Sequence, residues 1–185
     1  MNVKNVEQIL TELANCGVCE YVVCAGARNA PFVNALASAA GLKQYNFFEE
    51  RSAAFFALGR ARASNSPVAV VTTSGTAVAE LLPAAIEARY SGVPLVFISA
   101  DRPKSFRGSG SPQVIEQVGL FGSYVEKVFD LENEQISLSS WSRKQSIHLN
   151  VCFSELALKD VYEHKSYQVL PPSTGRAEVS QNDLL

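Results

Sequence analysis

Four side chains in this sequence stand where charge could be put to work. Arg28 follows the short apolar run at residues 21–25, Arg102 follows the run at 94–100, and Glu49 and Glu50 lie where the run that begins at Lys43 gives way to a helical pattern. Two guanidinium groups presented from separate strand ends suit bidentate capture of carboxylates, in a planar geometry that lysine does not offer. A carboxyl group so placed can hold and transfer a proton. A further run, residues 67–73, ends in Thr73-Ser74-Gly75-Thr76, a turn into a helix whose backbone N–H groups could meet an anion or the polar edge of a ring.

Each feature also has a plain structural reading. Arg28 and Arg102 could form surface ion pairs with Asp101 or Glu49, either glutamate could simply suit the first turn of a helix, and the Ser74 turn could be only an N-cap. Other chemistries have no footing. There is no G-K-[ST] loop, no G-x-G-x-x-G after the first strand, no H-E-x-x-H and no Ser-His-Asp order. His148 reads as a strand residue with a satisfied ring and His164 as a surface residue. Cys16 and Cys19 make a single C-x-x-C with no second pair and no nearby histidine, so the four cysteines read as reduced, small apolar fillers rather than a zinc or redox site.

The elements that must position these residues alternate in period. Val6, Ile9, Leu10, Leu13 and Ala14 form a helical stripe over 3–16, closed by Gly17. Buried strands are expected at 21–25, 67–73 and 94–100, with further strands at 43–49, near 124–130 and at 146–153. Helices are expected at 31–40, 50–64 and 74–90, with a short one near 115–121 and another at 136–144. Continuous apolar strands separated by helices predict an α/β fold: an open, mostly parallel sheet with helices on both faces. In such sheets ligands bind at the C-terminal strand ends, and there the two arginines and two carboxyls converge.

Composition narrows the classes. With 185 residues, 47% hydrophobic and 18% charged, and a net charge of −2, the chain is too apolar to be disordered and lacks the basic balance of a nucleic-acid binder. No apolar run reaches the roughly 18–20 residues of a membrane span. Residues 1–8 lack the apolar centre of a signal peptide, which makes the cytoplasm the expected compartment.

The run Phe48-Glu49-Glu50-Arg51, then Ala57-Leu58-Gly59-Arg60-Ala61, then residues 67–77 (PVAVVTTSGTA) resembles the pyrimidine-binding domain of thiamine-diphosphate enzymes. Ala25-Gly26-Ala27-Arg28-Asn29-Ala30-Pro31 and Ala100-Asp101-Arg102-Pro103 are similar to one branch of that superfamily. Gln113-Val114-Ile115-Glu116-Gln117 and His148-Leu149-Asn150-Val151 continue the match. The branch is that of the 2-succinyl-5-enolpyruvyl-6-hydroxy-3-cyclohexene-1-carboxylate synthases of menaquinone biosynthesis. The resemblance covers about residues 5–160.

The resemblance implies a thiamine-diphosphate-binding fold and a residue-by-residue role set. Glu50 matches the glutamate that shares a proton with N1′ of the cofactor aminopyrimidine, favouring the imino tautomer whose N4′ takes the thiazolium C2 proton. An apolar setting would raise its pKa, and Phe47 and Phe48 directly precede it; Glu49 is its rival. Gly75 and Thr76 match the turn lining the pyrimidine pocket, and Ala25 sits where the strand-one backbone faces the ring. Arg28, Arg102 and Gln113 match positions that hold isochorismate, the dicarboxylate acceptor. The implied reaction decarboxylates 2-oxoglutarate on the cofactor and adds the succinic semialdehyde carbanion to isochorismate, with loss of carbon dioxide.

Departures from the branch pattern are Ala25 and Ala27 in place of proline and serine, Gln145-Ser146-Ile147-His148 in place of G-P-V-H, and Cys152 in place of proline. The enzymes of this branch are much longer. They carry a second α/β domain with G-D-G…N that binds Mg2+ and the diphosphate, a motif not found here. The chain is therefore expected to be an N-terminal pyrimidine-binding domain over 1–164 with the start of an interdomain linker over 165–185, the later domains being absent. It would supply half a site and be inactive alone. The other half would come from the diphosphate-binding domain of a second subunit, in a homodimer or homotetramer. Alternatives are another thiamine-diphosphate-dependent enzyme of oxo-acid decarboxylase or acetohydroxyacid synthase type, or a stand-alone non-catalytic binding module.

Overall fold

In the computed structural model, which describes residues 3–154 and 164–170, the apolar runs become strands with little or no exposed surface. The chain order is α1 (Val3–Asn15), β1 (Glu20–Cys24), α2 (Ala30–Ala37), β2 (Ala39–Ala40), β3 (Lys43–Phe47), α3 (Glu50–Ser64), β4 (Val68–Thr72), α4 (Thr76–Ala79), α5 (Leu82–Ser91), β5 (Leu95–Asp101), β6 (Lys127–Leu131), β7 (Ile147–Cys152) and β8 (Lys165–Ser166). Six strands form one sheet in the order β3-β1-β4-β5-β7-β6, and every neighbouring pair is parallel. Every residue of β1, β4, β5 and β7 is buried, as a parallel sheet covered on both faces requires.

Alternation along the strands divides the core in two. Tyr21, Val23, Val71 and Ile98 point to the face covered by α1 and α2, whereas Val22, Val70 and Phe97 point to the face covered by α3 and α5. Alanines on the second pair (Ala53, Ala54, Ala57 and Ala61 on α3; Ala84, Ala85 and Ala88 on α5) are all buried. Their short side chains let both helices lie close to the sheet and to each other. Helix α1 ends where expected: Val18 N–H donates to Leu13 O at 3.0 Å and Gly17 N–H to Ala14 O at 3.0 Å, which satisfies carbonyls left over by the last turn.

The structure departs from the sequence expectation at four places. The single helix expected over 74–90 is two, α4 and α5, because Pro83 has no N–H to bond the Ala79 carbonyl and forms the first turn of a new helix. The expected helix near 115–121 is instead two single 3-10 turns, Gln117–Gly119 and Gly122–Tyr124. Residues 136–144 form no helix: Ile136, Leu138 and Trp141 are each buried, while Glu12 accepts from Leu138 N–H at 2.9 Å and Trp141 Nε1 donates to Gln145 O at 2.8 Å. Finally, α2 stops at Ala37, and Ala39–Ala40 pairs in parallel with Lys165–Ser166 in a small second sheet. The expected linker thus begins with a strand, and its residues 171–185 lie outside the described residues, as do residues 155–160 of the family resemblance.

Phe121 pins the 3-10 segment to the core, stacking on Phe97 at 4.8 Å and meeting His148 edge-on at 4.8 Å. Phe121→Ala is expected to cost about 3–5 kcal/mol of stability, read as a lower urea midpoint. A loss below about 1 kcal/mol would show that this segment is not anchored through Phe121.

Candidate functional site

The sheet reverses its winding between β1 and β4, since the chain runs from β1 outward to β3 and then back across to β4. Such a reversal leaves a crevice at the C-terminal strand ends. The loops leaving β1 and β4 meet there closely. A Cβ on Gly26 would stand 2.8 Å from Thr73 Cβ, so only glycine fits. Asn29, fully buried, fixes the first loop by accepting Gly26 N–H at 2.7 Å and donating to Cys24 O at 2.8 Å. Ala25 is exposed at the mouth. Arg28 reaches across the sheet and donates from Nη1 to the carbonyls of Phe153 and Ser154, both at 3.2 Å.

The adjacent glutamates divide their work. Glu49 is the N-cap of α3: its Oε1 accepts Arg51 N–H at 3.1 Å and its Oε2 accepts Ser52 N–H at 2.7 Å. The hydrogen bonds from Ser52 hold its carboxyl below the usual range. Glu50, half-buried in the first turn of α3, has no hydrogen bond or ion pair to any described residue. It lies toward the end of β1, where burial first, then the charges of Glu50 and Glu49, push the Cys24 thiol up to about 12. The apolar screen expected from both preceding phenylalanines is only half present. Phe47 turns inward against Phe56 at 4.9 Å, whereas Phe48, past the last strand residue, is wholly exposed.

Gly75 sits at φ 80°, ψ −137°, a conformation open in practice to glycine alone. Its N–H is not free for a ligand, as it donates to Gln117 Oε1 at 3.0 Å. Thr76, next in the chain, is exposed. Gln113, at φ 58°, lies over this turn, with its Cα 3.1 Å from where a Gly75 Cβ would be. Arg102 donates from Nε to Pro112 O at 3.2 Å and stands 5.8 Å from the Phe106 ring centroid. It forms no ion pair among the described residues, so the surface pairing with Asp101 is not made through side chains; Asp101 Oδ1 instead accepts the Arg102 backbone N–H at 2.8 Å. The Phe153 N–H bond to Asp101 O at 2.9 Å ties the anchor of Arg28 to the strand end that carries Arg102.

Beneath these loops lies a buried polar network whose members the sequence analysis named singly or inside motifs without joining them. Gln117 Nε2 donates to Asn150 Oδ1 at 2.7 Å and to Ala100 O at 3.1 Å. Asn150 Nδ2 donates to Asp101 Oδ2 at 3.1 Å and Asp130 Oδ1 at 2.9 Å. Ser99 joins His148 Nε2 at 2.7 Å and Asn150 Oδ1 at 2.9 Å. His148 Nδ1 has no partner of hydrogen-bond geometry; burial, against a smaller opposing effect of the Val118 backbone, holds the imidazole neutral with a pKa of about 4. The available signal was a polar residue inside a fully buried strand, Asn150 in IHLNVC, because a buried amide demands partners. A groove of about 390 Å³ lined in part by Glu12, Cys16, Trp141 and Arg143 opens at the opposite, N-terminal end of the strands and gathers none of the expected residues.

Asp130 closes the network at the surface. Burial alone would raise its pKa, but hydrogen bonds from Arg107 (2.7 and 2.8 Å) and Asn150, with the charges of Arg107 and Lys104, bring it to about 2. A depressed carboxyl stabilises the fold above its unfolded pKa, and the contribution is lost as pH falls through the folded value, here between the ordinary 3.8 and about 2. Arg107→Gln should therefore raise the Asp130 pKa from about 2 toward its ordinary value, since burial then acts with less opposition, and acid unfolding should begin at higher pH. Carboxyl 13C titration and urea midpoints against pH check both; an unmoved Asp130 titration would remove Arg107 as its partner.

Comparison with known proteins agrees with the parallel α/β fold. Residues 3–120 match the family described as the thiamine pyrophosphate enzyme, N-terminal TPP binding domain. Among curated relatives, the chain is 55% identical over 156 residues to a 2-succinyl-5-enolpyruvyl-6-hydroxy-3-cyclohexene-1-carboxylate synthase of Bdellovibrio bacteriovorus, covering 83% of this chain and 30% of the relative. Proteins of the same name from Akkermansia muciniphila and Chloroflexus aurantiacus are 49% identical (81% of this chain, 29% of the relative) and 42% identical (84% and 29%). The chain thus spans about three-tenths of the length of the curated relatives it matches. With residues 3–120 matched and a parallel sheet whose β1/β4 crevice is flanked by Glu50 and the Gly75 turn, the chain belongs to the thiamine pyrophosphate enzymes, within which it corresponds to the N-terminal TPP binding domain.

Proposed function

We propose that this chain is the pyrimidine-binding part of a 2-succinyl-5-enolpyruvyl-6-hydroxy-3-cyclohexene-1-carboxylate synthase of menaquinone biosynthesis. The whole enzyme transfers the four-carbon unit left by decarboxylation of 2-oxoglutarate to isochorismate. The observation that carries the reading is the division between Glu49 and Glu50: one carboxylate is consumed as a helix cap, and the other, beside the end of β1, has no side-chain partner among the described residues. The crevice also fits an aminopyrimidine in chemistry, with exposed, uncharged Ala25 and Thr76 at its rim.

Thiamine diphosphate, when bound, would supply a thiazolium ring whose C2 can add to an oxo-acid and whose cationic nitrogen can take up the electron pair released with carbon dioxide. This chain's residues would do the rest of their half. Glu50 holds a proton at N1′ of the aminopyrimidine, and Ala25, Gly75 and Thr76 line its pocket. Arg28, Arg102 and Gln113 take the acceptor; among the described residues the Arg102 guanidinium is hydrogen-bonded only through Nε, which leaves its terminal nitrogens for a carboxylate. Mg2+ and the diphosphate would be held by a second domain of the whole enzyme, as the family resemblance implies. That domain would come from a second subunit of a homodimer or homotetramer. Wholly exposed Phe48 and part-exposed Phe55 and Tyr90 are the apolar surface such a partner would cover. No helix of the described residues is long and apolar enough to cross a membrane.

The test is turnover by the full-length polypeptide with thiamine diphosphate, Mg2+, 2-oxoglutarate and isochorismate, following product mass. Glu50→Gln should slow thiazolium C2 proton exchange by about 10²–10⁴-fold while the cofactor still binds; unchanged exchange would take the proton-holding role from Glu50. Arg102→Ala should lower kcat/KM for isochorismate by about 10–100-fold, the size of a lost charge-assisted hydrogen bond, and leave 2-oxoglutarate decarboxylation nearly intact. Equal losses in both would exclude an acceptor role.

A further inference from the structure

We propose that Gln117 is a positioning residue that joins the two halves of the site, holding the cofactor turn at Gly75 and the acceptor segment at Gln113 in one fixed relation. The proposal rests on the functional reading above and extends it to a residue that touches neither ligand. Gln117 is fully buried although it lies between exposed Glu116 and exposed Gly119. Both ends of its amide are used. Oε1 accepts the Gly75 N–H at 3.0 Å, and Nε2 donates to Asn150 Oδ1 at 2.7 Å and Ala100 O at 3.1 Å. The orientation is unambiguous in chemistry, because a flipped amide would set its NH2 against the Gly75 donor and its oxygen against two acceptors.

The consequences run through the chain in both directions. Gly75 occupies a backbone conformation that its own side chain cannot lock, so the turn depends on what holds it from outside. Gln117 supplies one hold and the Gln113 backbone, packed where a Gly75 Cβ would be, supplies the other. Those two contacts lie four positions apart, and the same segment receives Arg102 through the Pro112 carbonyl at 3.2 Å. Arg102, Gln113, Gln117 and Gly75 are therefore one mechanical unit, seated on β5 and β7 through Asn150 and Ala100. A slip at Gln117 would move the pyrimidine rim and the acceptor groups together, which a residue serving only one of them would not do.

The experiment uses the full-length polypeptide and Gln117→Met, which keeps the length of the side chain and removes every hydrogen bond. At a temperature where the variant is fully folded, the dissociation constant for thiamine diphosphate with Mg2+ and the KM for isochorismate should both rise about tenfold, the size of one lost buried hydrogen bond. The KM for 2-oxoglutarate should change less than about twofold. Gln113→Ala is expected to raise only the isochorismate KM. Gln117→Glu, protonated in acidic buffer, keeps an acceptor for Gly75 and a donor for Asn150, so it should recover both constants there and lose them in alkaline buffer. Hydrogen exchange at the Gly75 amide, which needs no ligand, should quicken about tenfold in Gln117→Met at equal global stability. Unchanged exchange, or losses confined to thermal stability with both constants within about twofold of wild type, overturns the proposal. A wild-type enzyme without isochorismate turnover overturns the functional reading instead, and cofactor binding and Gly75 exchange then decide the role of Gln117.

Discussion

A sheet covered on both faces leaves no water for a polar side chain, and this fold places Ser99, Asp101, His148 and Asn150 inside it, all but unexposed. Each unpaired polar group there would cost about 1–3 kcal/mol, and a lone carboxylate more. The chain meets the requirement from a loop. Gln117 comes down onto Asn150, and Arg107 reaches Asp101 at 3.4 Å and Asp130 at 2.7 Å. The segment between β5 and β6 is thereby nailed to the sheet at two points, although it carries glycines and serines that would otherwise leave it loose. The placement of Arg102, Gln113 and the Gly75 turn follows from that demand for partners.

Glu50 depends on a separate fixture. It begins α3, a helix whose buried face is mostly alanine and so carries little shape of its own. Three turns on, Arg60 of the same helix makes a bidentate contact with Glu20 at the start of β1, at 2.6 and 2.8 Å. The Arg60 hydrogen bond, ahead of the opposing effect of burial, holds the Glu20 carboxyl below its usual range. One end of the helix is thus referenced to the first residue of β1, and the other delivers Glu50 near its last. The rigid rod between them converts an ion pair at the bottom of the sheet into a position at the top.

What could be read from the sequence was what repeats. Strand runs, the helix periods and the glycines that end them predicted an α/β parallel sheet, and the ends of its strands located the crevice. The split at Pro83 was legible too, as proline removes an N–H wherever it falls, although the expected helix over 74–90 ran straight through it. Residues 136–144 were not legible. Their apolar spacing imitates a helix, and only the groove beside α1, built by residues more than a hundred positions away, makes an irregular path the better one. Gln117 and Asn150 lie in the same class. Neither has a local signal beyond polarity in an apolar context, and their significance arises from a contact spanning 33 positions. The strand at 165–166 has no apolar pattern at all, and forms because Ala39–Ala40 offers it an edge.

The close approach of Gly26 and Thr73 has a consequence for how this chain can vary. With only 2.8 Å between a Cβ there and the Thr73 Cβ, a side chain at position 26 is admissible only if position 73 loses its own Cβ, as glycine, or the two loops move apart. The loops leaving β1 and β4 are therefore not independent characters. Change in one is filtered by the state of the other, and, where the loops keep their places, a drift in sequence that enlarges the crevice must pass through both positions in a set order, the smaller residue first.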